Sequence, residues 1–318
     1  VSVKDSVPVN GAIPCAIETE PVLQGALVAL QNGEVVASQA GFHNTGYDRS
    51  FKARRQLGSS WKPLLFGLAL KYHWHYLDEL ENDFNLFQFE NDFYFPRPDH
   101  KNKGETVSIL WATVRSENIA TIWLLDHLLD KLSDEEFAEV AAENGYLKRE
   151  EETTEDYRKR LRDKHGLYLN ETAKQEMEFT KAQKNLYEKF IYENRPNAAR
   201  ALRNMFYGRN VENGKKKYRK IDKAYFAEFD HNFLRYLGIL KEQDLKATAP
   251  DENLTEPIAD REVYPDLKLS DIRRLNGMVE IPSEETDYSK VESLRYWPDF
   301  RRSVSMAAFA RFAKEIGI

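Results

Sequence analysis

A single cysteine, Cys15, stands among 318 residues, so no disulfide can close within the chain. That alone leaves the compartment open, because many bacterial extracytoplasmic proteins carry none. No apolar run approaches the roughly 18–20 residues of a membrane span. No His-Glu-x-x-His or Cys-x-x-Cys spacing occurs. Of the seven histidines, His73 and His75 lie two apart and would face different sides of a helix, while His43, His100, His127, His165 and His231 are scattered. A metal site is therefore not expected, and no motif calls for a cofactor. No repeat period suggests a solenoid. Positive charge is not in excess either: the formal net charge is −6 and the isoelectric point is near 5.8. That argues against a protein whose main partner is a nucleic-acid backbone. The start, Val1-Ser2-Val3-Lys4-Asp5, has neither an initiator Met nor an apolar signal core. It reads as a mature or trimmed fragment, with an anchor or secretion signal expected upstream.

What is present is enough for a sizeable core: 42% of residues are hydrophobic and 12% aromatic, beside 31% charged. Four zones differ in texture. Residues 1–20 read as a linker with Pro8 and Pro14, residues 21–147 are dense in apolar side chains, 148–290 are strongly charged, and 291–318 return to an apolar helical pattern. In the second zone, 24–30 and 34–40 read as strands joined at Asn32-Gly33, a strong hairpin signal. After a polar loop over 41–55, apolar residues at helical spacing (Leu64, Leu65, Leu68, Ala69) predict a helix from Ser59 to Leu70, with Pro63 suited to its first turn. Further helices are expected over 107–114 and 119–132. Another should start at Ser133, which opens a capping pattern with Asp134, Glu135 and Glu136, and close at Gly145. The third zone predicts helices over 150–164, 171–193, 195–206 and 224–237, the last closed by Gly238. Asn213-Gly214-Lys215-Lys216-Lys217 reads as a turn with a basic tip, 249–265 as irregular, and 299–316 as a final helix capped at Gly317.

One spacing carries chemistry. In Gly58-Ser59-Ser60-Trp61-Lys62-Pro63 the lysine follows the serine by three residues, about one helical turn, on the same face. A serine hydroxyl is a weak nucleophile without a base within hydrogen-bond reach. A lysine amine can be that base when burial or neighbouring positive charge favours its neutral form. The helix start adds N–H groups able to hold a developing oxyanion. The plainer readings are a helix-capping serine and a solvated lysine, and Ser-x-x-Lys alone does not decide between them.

The surroundings do more. The strands Gly25-Ala26-Leu27-Val28-Ala29-Leu30 and Gly33-Glu34-Val35-Val36-Ala37, followed by Arg55-Gln56-Leu57-Gly58-Ser59-Ser60-Trp61-Lys62-Pro63, resemble the transpeptidase domain of class A penicillin-binding proteins. Ser116-Glu117-Asn118 matches that family's Ser-x-Asn motif, and Tyr94-Phe95-Pro96 and Gly104-Glu105-Thr106-Val107-Ser108 look like its approach. A plain polar turn between helices is the rival reading of 116–118. The resemblance covers roughly residues 20–147. It implies a mixed α/β, penicillin-recognising fold, an antiparallel sheet flanked by helices, here with a charged helical insertion. It implies Ser59 as the acylated nucleophile, Lys62 as its base, Ser116 as a proton relay, Asn118 as a holder of Lys62 and substrate, and Ser60, Trp61 and Glu117 beside the substrate. The implied reaction is acyl transfer from D-Ala-D-Ala stem peptides of peptidoglycan, with β-lactams acylating the same serine, outside the cytoplasmic membrane.

Two features depart from the family. No Lys-Ser/Thr-Gly occurs in these 318 residues, and the charged block at 148–290 is larger than the family pattern. The glycosyltransferase domain that accompanies the family's transpeptidase is also missing here. The missing motif keeps open a catalytically silent stem-peptide-binding scaffold, and a serine β-lactamase is a third reading. Charge over 148–290 reads as solvated helix faces or as a surface for cell-wall assembly partners, and its basic tip as a solvated loop or a contact for anionic glycan or lipid.

Overall fold

The computed structural model describes residues 2–3, 15–16, 23, 25–41, 47–83, 86–98, 104–248 and 260–317. His43, His100, most of the expected linker and much of the irregular 249–265 segment lie outside the described residues. The chain divides into two units, Val1–Gly58 and Ser59–Ile318, each described by itself. It is a mixed α/β protein, 52% helical and 11% strand.

In the first unit, β1 (Ser2–Val3) pairs with β2 (Cys15–Ala16). The hairpin appears as expected: β3 (Leu27–Gln31) runs antiparallel to β4 (Glu34–Gln39). Asn32 at φ +52° and Gly33 at φ +83° make the left-handed turn that joins them. Leu27, Leu30, Val35 and Val36 are all exposed.

The first four strands of the second unit are short: β5 (Glu79–Glu81), β6 (Phe87–Phe89), β7 (Asp92–Tyr94) and β8 (Thr106–Ser108). Its first helices are α1 (Lys62–Lys71), α2 (Ile109–Arg115), α3 (Asn118–Asp126) and α4 (Asp134–Glu143). Then come α5 (Thr154–His165), α6 (Glu171–Tyr192), α7 (Pro196–Asn204), α8 (Val211–Lys217), α9 (Lys223–Glu228) and α10 (Phe233–Thr248). After β9 (Glu262–Tyr264) and β10 (Leu267–Lys268) the chain ends through α11 (Leu269–Asn276), α12 (Val291–Leu294) and α13 (Pro298–Glu315). Among the described residues every sheet has two strands, so the single flanked sheet expected from the sequence is not seen there.

Local signals set several boundaries. Ser133 Oγ accepts from Glu136 N while Glu136 Oε2 accepts from Ser133 N, the reciprocal cap that starts α4. Two expectations fail for tertiary reasons. Gly214 sits inside α8 rather than in a turn, because a Cβ there would fall 2.5 Å from the Phe93 ring and 2.8 Å from Phe229. The glycine serves close packing, and Lys215 and Lys217 pair with Asp230 and Asp92. The helix expected over 224–237 breaks into α9 and α10, where Asn232 Oδ1 accepts from Arg235 N at 2.9 Å and caps the second segment. Gly238 lies within α10. The apolar run 119–132 is likewise helical only to Asp126.

Two main cores result. The first gathers Leu65, Trp123, Phe137, Tyr157, Trp297 and Phe300 from α1, α3, α4, α5 and the start of α13. It takes in residues as far as Met177, so the first stretch of the charged block belongs to the same core as the serine helix. The second packs the distal part of α6 with α7, α10 and α11. Part-buried ion pairs tie the elements: Arg195 grips Asp271 with two bonds of 2.7 Å, Arg302 meets Asp126, and Arg209 meets Asp299. His231 is neutral here in a defined tautomer. Nε2 donates to the Ala201 carbonyl at 2.7 Å and Nδ1 accepts from the Tyr236 hydroxyl at 2.9 Å, and burial holds its pKa down at about 4.

Glu176 gives a test of this interior. It is 4% exposed, and burial pushes its carboxyl from 4.5 up to about 7, against the pull of Arg209 at 3.5 Å. A carboxyl raised in this way contributes stability that is full below about 4.5 and lost as pH rises through about 7. The Glu176→Gln variant should therefore gain on the parent between pH 5 and 8 by on the order of 2–3 kcal/mol. Urea denaturation at the two pH values measures it, and a parallel pair of profiles would contradict the assignment.

Candidate active site

Helix α1 forms where Leu65, Phe66, Leu68 and Ala69 bury one face against the first core, with Pro63 in its first turn. The expected helix start is tightened into a 3-10 turn over Gly58–Trp61. The N-cap position is Trp61, without a side-chain cap bond, so Ser59 does not cap this helix. Ser59 is exposed on the turn, as is Ser60. Trp61 is half-buried and sets its ring edge-on against Phe309 of α13, with centroids 5.6 Å apart. That contact anchors the turn to the first core.

Lys62 is 4% exposed. Its amine donates to the Ser116 carbonyl, to Ser116 Oγ at 3.2 Å and to Asn118 Oδ1 at 2.5 Å. A buried ammonium is tolerated only where oxygens meet it, and these come from 54 and 56 residues further along the chain. The sequence motifs at 59–62 and 116–118 are therefore brought together at one amine.

The second motif is aimed by its backbone. Strand β8 pairs antiparallel with β5, Glu81 opposite Thr106 and Glu79 opposite Ser108. Ser108 Oγ caps α2 by accepting from Trp111 N, and the Ile109 and Leu110 N–H groups donate to the Asp78 and Tyr76 carbonyls. Helix α2 ends at Ser116, which adopts the left-handed region at φ +54°, ψ +44°. There the Ser116 N–H returns to Thr113 O and the Glu117 N–H to Ala112 O. This reversal leaves both oxygens of Ser116 on Lys62, and α3 then opens directly at Asn118. A non-glycine residue held this way costs about 1–2 kcal/mol, and such positions cluster at functional sites.

Asn118 is fixed at both ends: Oδ1 accepts from Lys62, and Nδ2 donates to the Arg97 carbonyl at 2.7 Å. The residue between, Glu117, is 1% exposed, and its carboxylate lies 3.7 Å from Arg115 Nε. The hydrogen bonds described for the Lys62 amine go to Ser116 and Asn118 and not to Ser59. Nothing in the motifs pointed to two supports. Tyr225 of α9 donates to the Pro96 carbonyl and so steadies the 96–97 backbone, and Arg200 and Arg203 of α7 hold Glu81 on β5. A backbone carbonyl has no residue signature, and long-range ion pairs leave no spacing to read. Among the described residues no group of acids, histidines and cysteine is placed to hold a metal ion, and no helix is long and apolar enough to cross a membrane.

No protein-family model, curated protein or solved structure matches the chain. The site therefore rests on its own geometry and on the motifs that compose it.

The left-handed turn predicts an inverted ranking of variants. Ser116→Ala and Ser116→Gly both remove Oγ, but only glycine relieves the backbone. Ser116→Gly should be the more stable of the two by about 1 kcal/mol in urea denaturation. An alanine variant equal to or better than glycine would show that the turn is not held as described.

Proposed function

We propose that this protein is a serine acyltransferase of the D,D-transpeptidase kind, acting on the stem peptides of peptidoglycan. The observation that carries the reading is the meeting of Lys62 with Ser116 and Asn118 beside the exposed Ser59 turn. In this reading the buried Lys62 ammonium first gives up a proton to solvent, and the Ser59 hydroxyl then attacks the carbonyl between two terminal D-Ala residues while its own proton passes to the lysine amine. The C–N bond breaks, the departing D-Ala amine takes a proton through Ser116, and an ester remains on Ser59. An acceptor amine, or water, then displaces the ester and returns the serine. Asn118 keeps the lysine in place. The setting is extracytoplasmic, β-lactams are pseudo-substrates, and the outward faces of 148–290 are the surface offered to cell-wall assembly partners.

A second reading, a stem-peptide-binding module without turnover, is favoured by the lack of a Lys-Ser/Thr-Gly motif in these 318 residues. The finer fold, a penicillin-recognising domain, belongs to the same proposal.

Incubation with a fluorescent penicillin, read by intact mass, separates the readings. One stable adduct is expected, absent in Ser59→Ala and formed about 10²–10⁴-fold more slowly in Lys62→Ala. Absence of any adduct would contradict acyl transfer. Turnover without accumulation would reassign the chain as a β-lactamase.

A further inference from the structure

Asn118 meets two partners that together admit one orientation of its amide. An ammonium can only donate and a backbone carbonyl can only accept. Oδ1 therefore faces Lys62, at 2.5 Å, and Nδ2 faces the Arg97 carbonyl, at 2.7 Å. Acyl transfer would remove the first of these constraints. Once Lys62 has given up a proton, its amine carries a lone pair, and an amide turned over could donate an Nδ2–H to it. That lone pair is the one the Ser59 proton needs. With the amine neutral, the Arg97 carbonyl still holds Nδ2 and so keeps Oδ1 on the lysine.

That carbonyl belongs to a stiff strap, Phe95-Pro96-Arg97-Pro98. Each proline ring fixes its own φ, and a residue before proline is pushed towards extended backbone, so Arg97 has little freedom. Side chains from the charged block hold the strap. The Tyr225 hydroxyl of α9 donates to the carbonyl of Pro96, which is buried and lies one peptide group before that of Arg97. The Phe95 ring packs edge-on against Tyr218, Tyr225 and Phe229, with centroids 5.0, 5.7 and 5.7 Å away.

We propose that this strap, held by Tyr225, keeps Asn118 from turning over and so leaves the neutral Lys62 amine free to take the Ser59 proton. Tyr225 is then a positioning residue for the acyl-transfer reading, on which its role rests. It acts through Pro96, Arg97 and Asn118.

Tyr225→Phe keeps the ring against Phe95 and removes only the hydroxyl. Saturation kinetics with the fluorescent penicillin should show a limiting acylation rate about tenfold lower, at an unchanged half-saturating concentration. Tyr157→Phe is the control, because its hydroxyl also donates to a backbone carbonyl, that of Tyr146 at 2.9 Å, away from the strap. It should lower the urea midpoint comparably and leave the acylation rate as in the parent. The Asn118 side-chain amide gives a reading that needs no acylation. Its NMR cross-peaks, identified by their loss in Asn118→Leu, should move in Tyr225→Phe and stay in place in Tyr157→Phe. A parental limiting rate in Tyr225→Phe, equal slowing in both variants, or unmoved cross-peaks would each overturn the role of the strap. A parent that forms no adduct would sink the acyl-transfer reading, and the cross-peaks would still judge the strap by themselves.

Discussion

The molecule is organised around the cost of burying one ammonium group. Lys62 opens α1 at 4% exposure, where water no longer solvates it. The Coulombic and hydrogen-bonding loss has to be met by oxygens at fixed positions, since removing one partner of a buried charge costs several kcal/mol. The oxygens come from a single reversal of the chain, and that reversal exists only because Ser116 takes a left-handed backbone conformation between α2 and α3. Burial of a charge thus constrains two helices, and with them a serine turn and an asparagine.

The charged middle of the chain is part of the same construction rather than an appendage. Its early helix α5 contributes Tyr157 and Leu161 to the core under α1, α7 supplies the arginines on Glu81, and α9 supplies the tyrosine on Pro96. Glu81 lies on β5, whose partner β8 leads into α2. An ion pair and a short ladder thus connect α7 to the strand that leads into the helix ending at Ser116. High charge in this zone reflects solvated faces together with a few long-range pairs that hold the site.

Much of the local structure was legible because its causes are local. Asn32-Gly33 needs a left-handed turn, Ser133 and Glu136 satisfy each other's backbone, and the apolar spacing after Pro63 needs a core. Ser59 and Lys62 were legible as a pair from their one-turn spacing, whereas Ser116 and Asn118 were legible only through the resemblance, since no spacing rule joins residues 54 and 56 positions beyond Lys62 to its amine. What was illegible has non-local causes. Gly214 looks like a turn residue, yet it is small because Phe93 and Phe229 close on it. The break before α10 depends on Asn232, and the carbonyl that holds Asn118 lies 21 residues before it, on a strap tied to Tyr225. Glu117, placed beside the substrate by the resemblance, has its side chain buried toward Arg115.

The most direct test of this account is a double-mutant cycle between Lys62 and Asn118, using Lys62→Met, Asn118→Leu and the pair, read by chemical denaturation. If the buried amine and the Asn118 oxygen stabilise one another across the two helices, the coupling should be roughly 1–3 kcal/mol, with the double variant less destabilised than the sum of the singles. Additivity within about 0.5 kcal/mol would mean that the two residues merely lie near each other, and the constraint on which the site rests would be absent.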